Sequence, residues 1–201
     1  MSRACKRTVL IGWLCVSLWL APPEEAPQWV WAESPPAIPQ RDYEVLEIYL
    51  SVDEALRLMF PASDQIVSEP VRLTDEQAVR VGQMADHPLW EESFTVYKGL
   101  THGQVDGYAI VTEEIGRFHF ITFLVGVEPE GRIMRVEVLV YRESRGGEIR
   151  HRRFLHQFEG KSLRDPIRLN RDVMNITGAT LSVRAVSRGV RKVLGVLHEV
   201  Y

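Results

Sequence analysis

The chemistry in this chain is concentrated in Asp172-Val173-Met174-Asn175-Ile176-Thr177-Gly178-Ala179-Thr180-Leu181-Ser182. Thr177 and Gly178 end a loop, and Thr180 stands at the mouth of a long helical pattern. The first backbone N–H groups of a helix have no partner within it, and its dipole is positive at that end. Such a place suits a phosphate. Gly178 permits close approach of the backbone. Ala179 leaves room, and Arg184 adds positive charge one turn further on. The same residues also read as a plain helix cap, with the Thr177 or Thr180 hydroxyl on a first-turn amide and no ligand at all. The physics of a helix mouth does not by itself separate these two readings.

The elements that must hold this stretch are legible from periodicity. Phe94 to Tyr97, Gly107 to Thr112, Phe118 to Val127 and Ile133 to Tyr141 read as strands of an antiparallel meander, with turns near His102-Gly103 and Glu130-Gly131. In the last strand Met134, Val136, Val138 and Val140 alternate with Arg135 and Glu137, which predicts burial on one face. Beyond it, Ser144-Arg145-Gly146-Gly147 is a flexible basic loop. Arg153 to Phe158 predicts a helix that Gly160 ends. The final helix opens near Thr180. Val186, Val190, Val193, Leu194 and Leu197 recur along one face, and Arg184, Arg188, Arg191 and Lys192 lie mostly off it. Toward the N-terminus, Val52 to Met59 predicts a short helix. Thr74 and Gln77 form a capping box that opens another, running toward Asp86. The fold class is α+β: an antiparallel β-sheet with packed helices, an N-terminal helical cap and a long C-terminal amphipathic helix.

At 201 residues, 45% of them hydrophobic, the chain can bury a real core. A charged fraction of 25% and a net charge of −3 exclude a polybasic nucleic-acid binder and a disordered acidic tail. The charge is uneven. Residues 142–192 hold 13 Lys or Arg against 5 Asp or Glu, an excess of +8 that leaves the remainder at −11. A basic half points to an anionic partner, and describes a solvated helix face with basic loops equally well. His151 and His156 are five apart and do not share a helix face. Metal-protease, haem-attachment, dinucleotide and phosphate-loop motifs are absent. No metal site and no catalytic side chain is therefore expected.

Cys5 and Cys15 both lie in the N-terminal segment, where Arg3, Lys6 and Arg7 precede an apolar run from Thr8 to Ala21. That is the form of a secretory signal, and the run of 14 residues is short for a membrane span. Val30-Trp31-Ala32 offers a cleavage site; an uncleaved anchor held at the outer face of the inner membrane by residues 8–21 is the alternative. Residues 1–32 are thus expected to be a signal peptide or anchor, 33–41 a proline-bearing linker, 42–92 the helical cap and 93–201 the main domain. Cleavage would leave no cysteine, and with it no disulfide or thiolate chemistry.

Thr177-Gly178-Ala179-Thr180 followed by Leu181-Ser182 resembles the Ser/Thr-Gly-Ala-Thr signature of the FMN-binding domain. That domain occurs in the C subunit of the sodium-pumping NADH:quinone oxidoreductase, in the G subunit of the Rnf complex and in small exported proteins. Gly107-Tyr108-Ala109, Phe123 to Val127, Glu130 to Ile133 and Val136 to Leu139 resemble its central strands. Glu143-Ser144-Arg145-Gly146-Gly147 resembles its Glu-Thr-Pro-Gly-Leu-Gly loop, without the Thr-Pro. Phe154 to Lys161 resembles its Phe-x-x-Gln-Phe-x-Gly-Lys segment. These run in the family's order from about Ser93 to Leu194.

The resemblance implies an exported, periplasmic flavoprotein with FMN bound covalently to Thr180. In that family a flavin transferase moves FMN from FAD onto the last threonine of the signature, leaving a phosphoester. Thr177, Gly178, Ala179, Leu181 and Ser182 would shape the attachment turn. Glu143, Ser144, Arg145, Gly146 and Gly147, with Arg184, would approach the flavin or its phosphate. Asp172 would serve transferase recognition, since Met174 stands where many members have an acidic residue. The implied partners are the transferase and redox proteins, membrane-bound ones among them, with the N-terminal segment as a means of membrane association. An electron carrier is favoured over a free-standing enzyme. An exported flavin-dependent reductase of a small oxidant, and a flavin-free binding or assembly module with the same fold, are the alternatives.

Overall fold

A computed structural model describes residues 47–201. The expectations for the signal or anchor, the linker and the first residues of the cap lie outside the described residues.

Six strands form one sheet: β1 (Glu47–Ile48), β2 (Gln65–Arg72), β3 (Ser93–Thr101), β4 (Gln104–Ile115), β5 (Phe120–Val127) and β6 (Ile133–Tyr141). Their spatial order is β1-β6-β5-β4-β3-β2, with every neighbouring pair antiparallel. The four strands legible in the sequence are the contiguous centre of this sheet, as short hairpin connections require. The two edge strands are additions to that reading. β2 contains Pro70 and three polar or charged residues besides its first, so it carries little β signal. Pro cannot donate to a ladder and is tolerated at an edge. β1 is two residues long.

Both faces of the sheet are covered. α1 (Val52–Met59) packs on one face, where Ala55, Leu56, Met59, Tyr97, Ala109, Leu124, Leu139 and Val140 form a buried cluster. α4 (Thr180–Val200) crosses the other face, with α2 (Asp75–Ala85) beside it. The capping box of Thr74 and Gln77 starts α2, and Asp86 ends it in the left-handed conformation.

The packing corrects two expectations. β6 is not buried on one face only: Val136 and Val138 face the α4 side, while Leu139 and Val140 face α1. The pairing with β5 skips at Gly126/Val127 and at Thr122/Phe123, which inserts Met134 and Leu139 as extra residues and breaks the alternation. Arg191 and Lys192 are buried, not solvent-facing. α2 and β4 enclose that part of α4, and their charges are met there: Arg191 by Asp86 and the Ala85 carbonyl, Lys192 by Glu114 and the Glu113 carbonyl.

The helix expected at Arg153 to Phe158 is in fact a single α-turn, α3 (Arg152–Leu155), followed by a 3-10 turn at His156–Phe158. Gly160, at φ +74°, ends it as expected. The Gly160 amide and the Lys161 carbonyl pair with Ile133 and fasten this segment to the start of β6.

Candidate functional site

β4 ends, β5 begins and β6 ends at one edge of the sheet, and the mouth of α4 opens at that same end. There the cap position of α4 is Ala179, and among the described residues no side chain hydrogen-bonds to the first-turn amides. The plain capping alternative is therefore not adopted: Thr177 is exposed on the preceding turn, and Thr180 is the first helical residue. Gly178, at φ +87°, makes that turn possible. The Thr180 hydroxyl is half-buried and accepts a 3.1 Å hydrogen bond from the Asn175 side-chain amide. A hydroxyl fixed by one donor keeps its remaining lone pair and its proton available.

The loop after β6 meets this helix mouth. The Tyr141 hydroxyl donates to the Arg145 carbonyl at 2.5 Å and lies 2.9 Å from Ser182 Oγ. Gly146, at φ +90°, fits between them. A Cβ there would come within 2.8 Å of the Tyr141 hydroxyl and 3.2 Å of both Ala179 Cβ and Ser182 Oγ. Thus residues 145–146 and 179–182, more than thirty positions apart in the chain, share one contact.

The other candidate residues divide into two groups. Ser144 and Arg145 are exposed on the loop, and Gly147 approaches the Tyr49 hydroxyl. Arg145 and Arg184 are exposed and pair with no carboxylate among the described residues. Leu181 and Met174 present apolar surface nearby in the chain, at 45% and 73% exposure. Glu143 and Asp172, in contrast, are taken up by structural contacts. One Glu143 oxygen accepts the amides of Arg117, Phe118 and His119 at 2.6, 2.6 and 3.0 Å, which ties the β4–β5 turn to the loop. Asp172 accepts the amides of Ile167 and Arg168 and the Lys161 ammonium at 3.0, 2.8 and 3.0 Å. Burial opposes the charged form of Asp172, but the Arg168 amide, Lys161 and the Ile167 amide outweigh it and hold the carboxyl below its usual range.

Three contributors are not among the site residues expected from the sequence, although Gln157 is the glutamine of the Phe-x-x-Gln-Phe-x-Gly-Lys segment. Tyr141 reads as the last core residue of a strand, and Asn175 has no periodic relation to Thr180. Gln157 accepts the Met174 amide at 2.7 Å through its side chain and so anchors the start of the 174–179 turn. A cleft of about 620 Å³ lies at the opposite end of α4, between the Glu128–Arg132 turn and Leu194, Leu197 and Tyr201. It contains no residue of the helix mouth.

Residues 116–195, which include the helix mouth, the loop and the turn, match the profile of the FMN-binding domain. That segment resembles the FMN-binding domain family. The chain also aligns with the G subunit of the ion-translocating oxidoreductase complex of Pseudomonas aeruginosa. In strains UCBPP-PA14 and PAO1 alike the identity is 33% over 110 residues, covering 49% of this chain. The match spans about half the length of those relatives, 51%. Among solved structures, that of NqrC from Shewanella oneidensis superposes with a TM-score of 0.48 at 18% identity, over 71% of this chain and 83% of that one.

Proposed function

We propose that this chain is an exported flavoprotein that carries FMN covalently on Thr180 and passes electrons through it. The observation that carries the proposal is the position of Thr180 inside the matched FMN-binding segment, at a helix mouth whose first amides no side chain among the described residues caps. The surrounding residues fit the group. Backbone amides of the first turn of α4 would face the phosphate. The Tyr141-pinned loop would hold Arg145 beside it, and Arg184 would add charge from one turn along α4. Leu181 and Met174 supply exposed apolar surface for a planar ring. When bound, the flavin supplies the redox chemistry, and the protein supplies attachment and electrostatics.

Attachment requires the Thr180 hydroxyl to displace the nucleotide half of FAD from the flavin-side phosphorus, on a transferase, losing its proton. Asn175 donates to that oxygen and leaves the proton free to depart. A covalent link suits export, because a dissociable flavin would be lost outside the compartment that makes it. The relatives are named as subunits of an ion-translocating oxidoreductase complex, which supports redox proteins as partners. Among the described residues no helix is long and apolar enough to cross a membrane. Membrane association would then fall to the N-terminal segment.

Mass spectrometry of the chain co-expressed with a flavin transferase tests the proposal. The expected product is heavier by one FMN less one water, and Thr180→Val abolishes the increment while Thr177→Val retains attachment on Thr180. An unmodified wild-type chain, or an increment that survives Thr180→Val, overturns it.

A further inference from the structure

A second cationic centre lies between α4 and the 161–172 loop. Arg164, Arg168 and Arg171 from the loop and Arg184, Arg188 and Arg191 from α4 wall two adjoining clefts of about 580 and 350 Å³. Asp86, Arg168 and Arg191 line both clefts and form their common wall. The countercharge is thin. Asp86 serves Arg168 and Arg191 together, and Glu114 serves Arg188 while also meeting Lys192. Asp165 is engaged by Ser162. Arg164, Arg171 and Arg184 pair with no carboxylate among the described residues.

Arg191 sharpens the imbalance. It is nine-tenths buried, and its Nε has no hydrogen-bond partner among the described residues. Burial holds its guanidinium below the ordinary range, and Arg168 and Arg188 push the same way against the pull of Asp86. Like charges gathered in a partly desolvated groove repel unless an anion joins them. Guanidinium forks match oxyanions two oxygens at a time. A planar carboxylate already fills the shared wall as Asp86, so the vacant demand is for oxygens presented to both clefts at once. Asp86 already spends one carboxylate on Arg168 and Arg191 together, and a tetrahedral group offers the remaining forks more acceptors than a second carboxylate would.

We propose that this arginine-lined groove binds a small polyanion bearing two phosphoryl groups, one in each cleft, astride the Asp86 wall. The site does not rest on the flavin proposal: Arg184 is the only residue common to both, and the probe needs no flavin. Phosphoryl groups of this kind have two sources, a soluble diphosphate or the headgroup of an anionic lipid.

Titration calorimetry of the full, flavin-free chain with inorganic pyrophosphate at about 0.15 M salt, where exposed long-range attraction is screened, reads the site directly. Saturable 1:1 binding is expected, weakened about tenfold in the exposed variants Arg164→Gln and Arg171→Gln, as the loss of a charge-assisted pair implies. Arg72→Gln, which removes one exposed charge that pairs with Glu92 far from the groove, should bind like wild type. Co-sedimentation with cardiolipin vesicles, whose lipid headgroup carries two phosphates, that Arg171→Gln abolishes would assign a lipid headgroup. Pyrophosphate binding without co-sedimentation would assign a soluble ligand. Absence of saturable binding, or equal weakening by Arg72→Gln, overturns the site.

Discussion

The phenol of Tyr141 lies 2.9 Å from Ser182 Oγ and 2.5 Å from the Arg145 carbonyl oxygen, and so joins the loop after β6 to the first turn of α4. A carbonyl only accepts, so the one phenolic proton goes to Arg145 and Ser182 donates to the phenol oxygen. Burial holds the Tyr141 phenol above its ordinary range, with Glu143, Glu148 and Glu47 adding to the effect against Ser182. The proton therefore stays in place at neutral pH. Tyr141→Phe should leave the carbonyl and the serine without this partner and cost about 1–2 kcal/mol. Thermal unfolding would shift to lower temperature, and amide exchange at residues 145–147 would accelerate. Unchanged protection would show that the loop is held by something else.

Gly146 is bounded by the same pair. Gly146→Ala introduces a Cβ 2.8 Å from the Tyr141 hydroxyl at a φ of +90°, where an L side chain costs about 1–2 kcal/mol. The loop should back away from Ala179 and Ser182. With a native circular dichroism spectrum, the variant is expected to accept less flavin in co-expression. A full flavin load would separate the loop from attachment.

Glu143 places its carboxylate on three successive amides of the β4–β5 turn. Hydrogen bonds to a charged acceptor contribute about 1.5–3 kcal/mol. Glu143→Ala should destabilise the chain by about 2 kcal/mol. It should also raise exchange at Arg117, Phe118 and His119 selectively, measurable by amide exchange with mass or NMR detection. Uniform acceleration across the sheet would contradict a local role.

Asp172 makes a pH-dependent contribution of known sign. Its carboxyl titrates lower in the folded chain than in the unfolded one, because the Arg168 and Ile167 amides and Lys161 outweigh burial. The stabilisation is present in full above the unfolded carboxylate's ordinary value of about 4. It is lost as pH falls through the lower folded value. Asp172→Asn should flatten that acid limb of the stability curve and destabilise the chain at neutral pH. Parallel wild-type and variant curves between roughly pH 2 and 5 would exclude Asp172 as the titrating group.

The central strands and α4 are legible in the sequence because their residues obey local periodicities that any neighbour must respect. The bounds of Ile133 to Tyr141 and the helix mouth at Thr180 coincide with that reading. β2 is not legible, because a proline and interspersed polar residues become a strand only when β3 offers a partner. The alternation in β6 misleads for a related reason: its two extra residues arise from pairing with β5, and no residue of β6 announces them.

The sequence by itself determined which stretch is suited to receive a phosphate. Thr180 at the start of a helix, preceded by Gly178 and followed by Arg184, is a local arrangement that backbone geometry and the unpaired amides of a first turn make suitable for a phosphate. Only the tertiary structure decided what surrounds it. Tyr141, Gly146 and Ser182 meet because the end of β6 and the mouth of α4 reach the same edge of the sheet. Asp86 gathers arginines from two segments because α2 ends beside α4. Such contacts depend on how distant segments pack and on which charges burial leaves exposed, and neither is encoded in spacing along the chain.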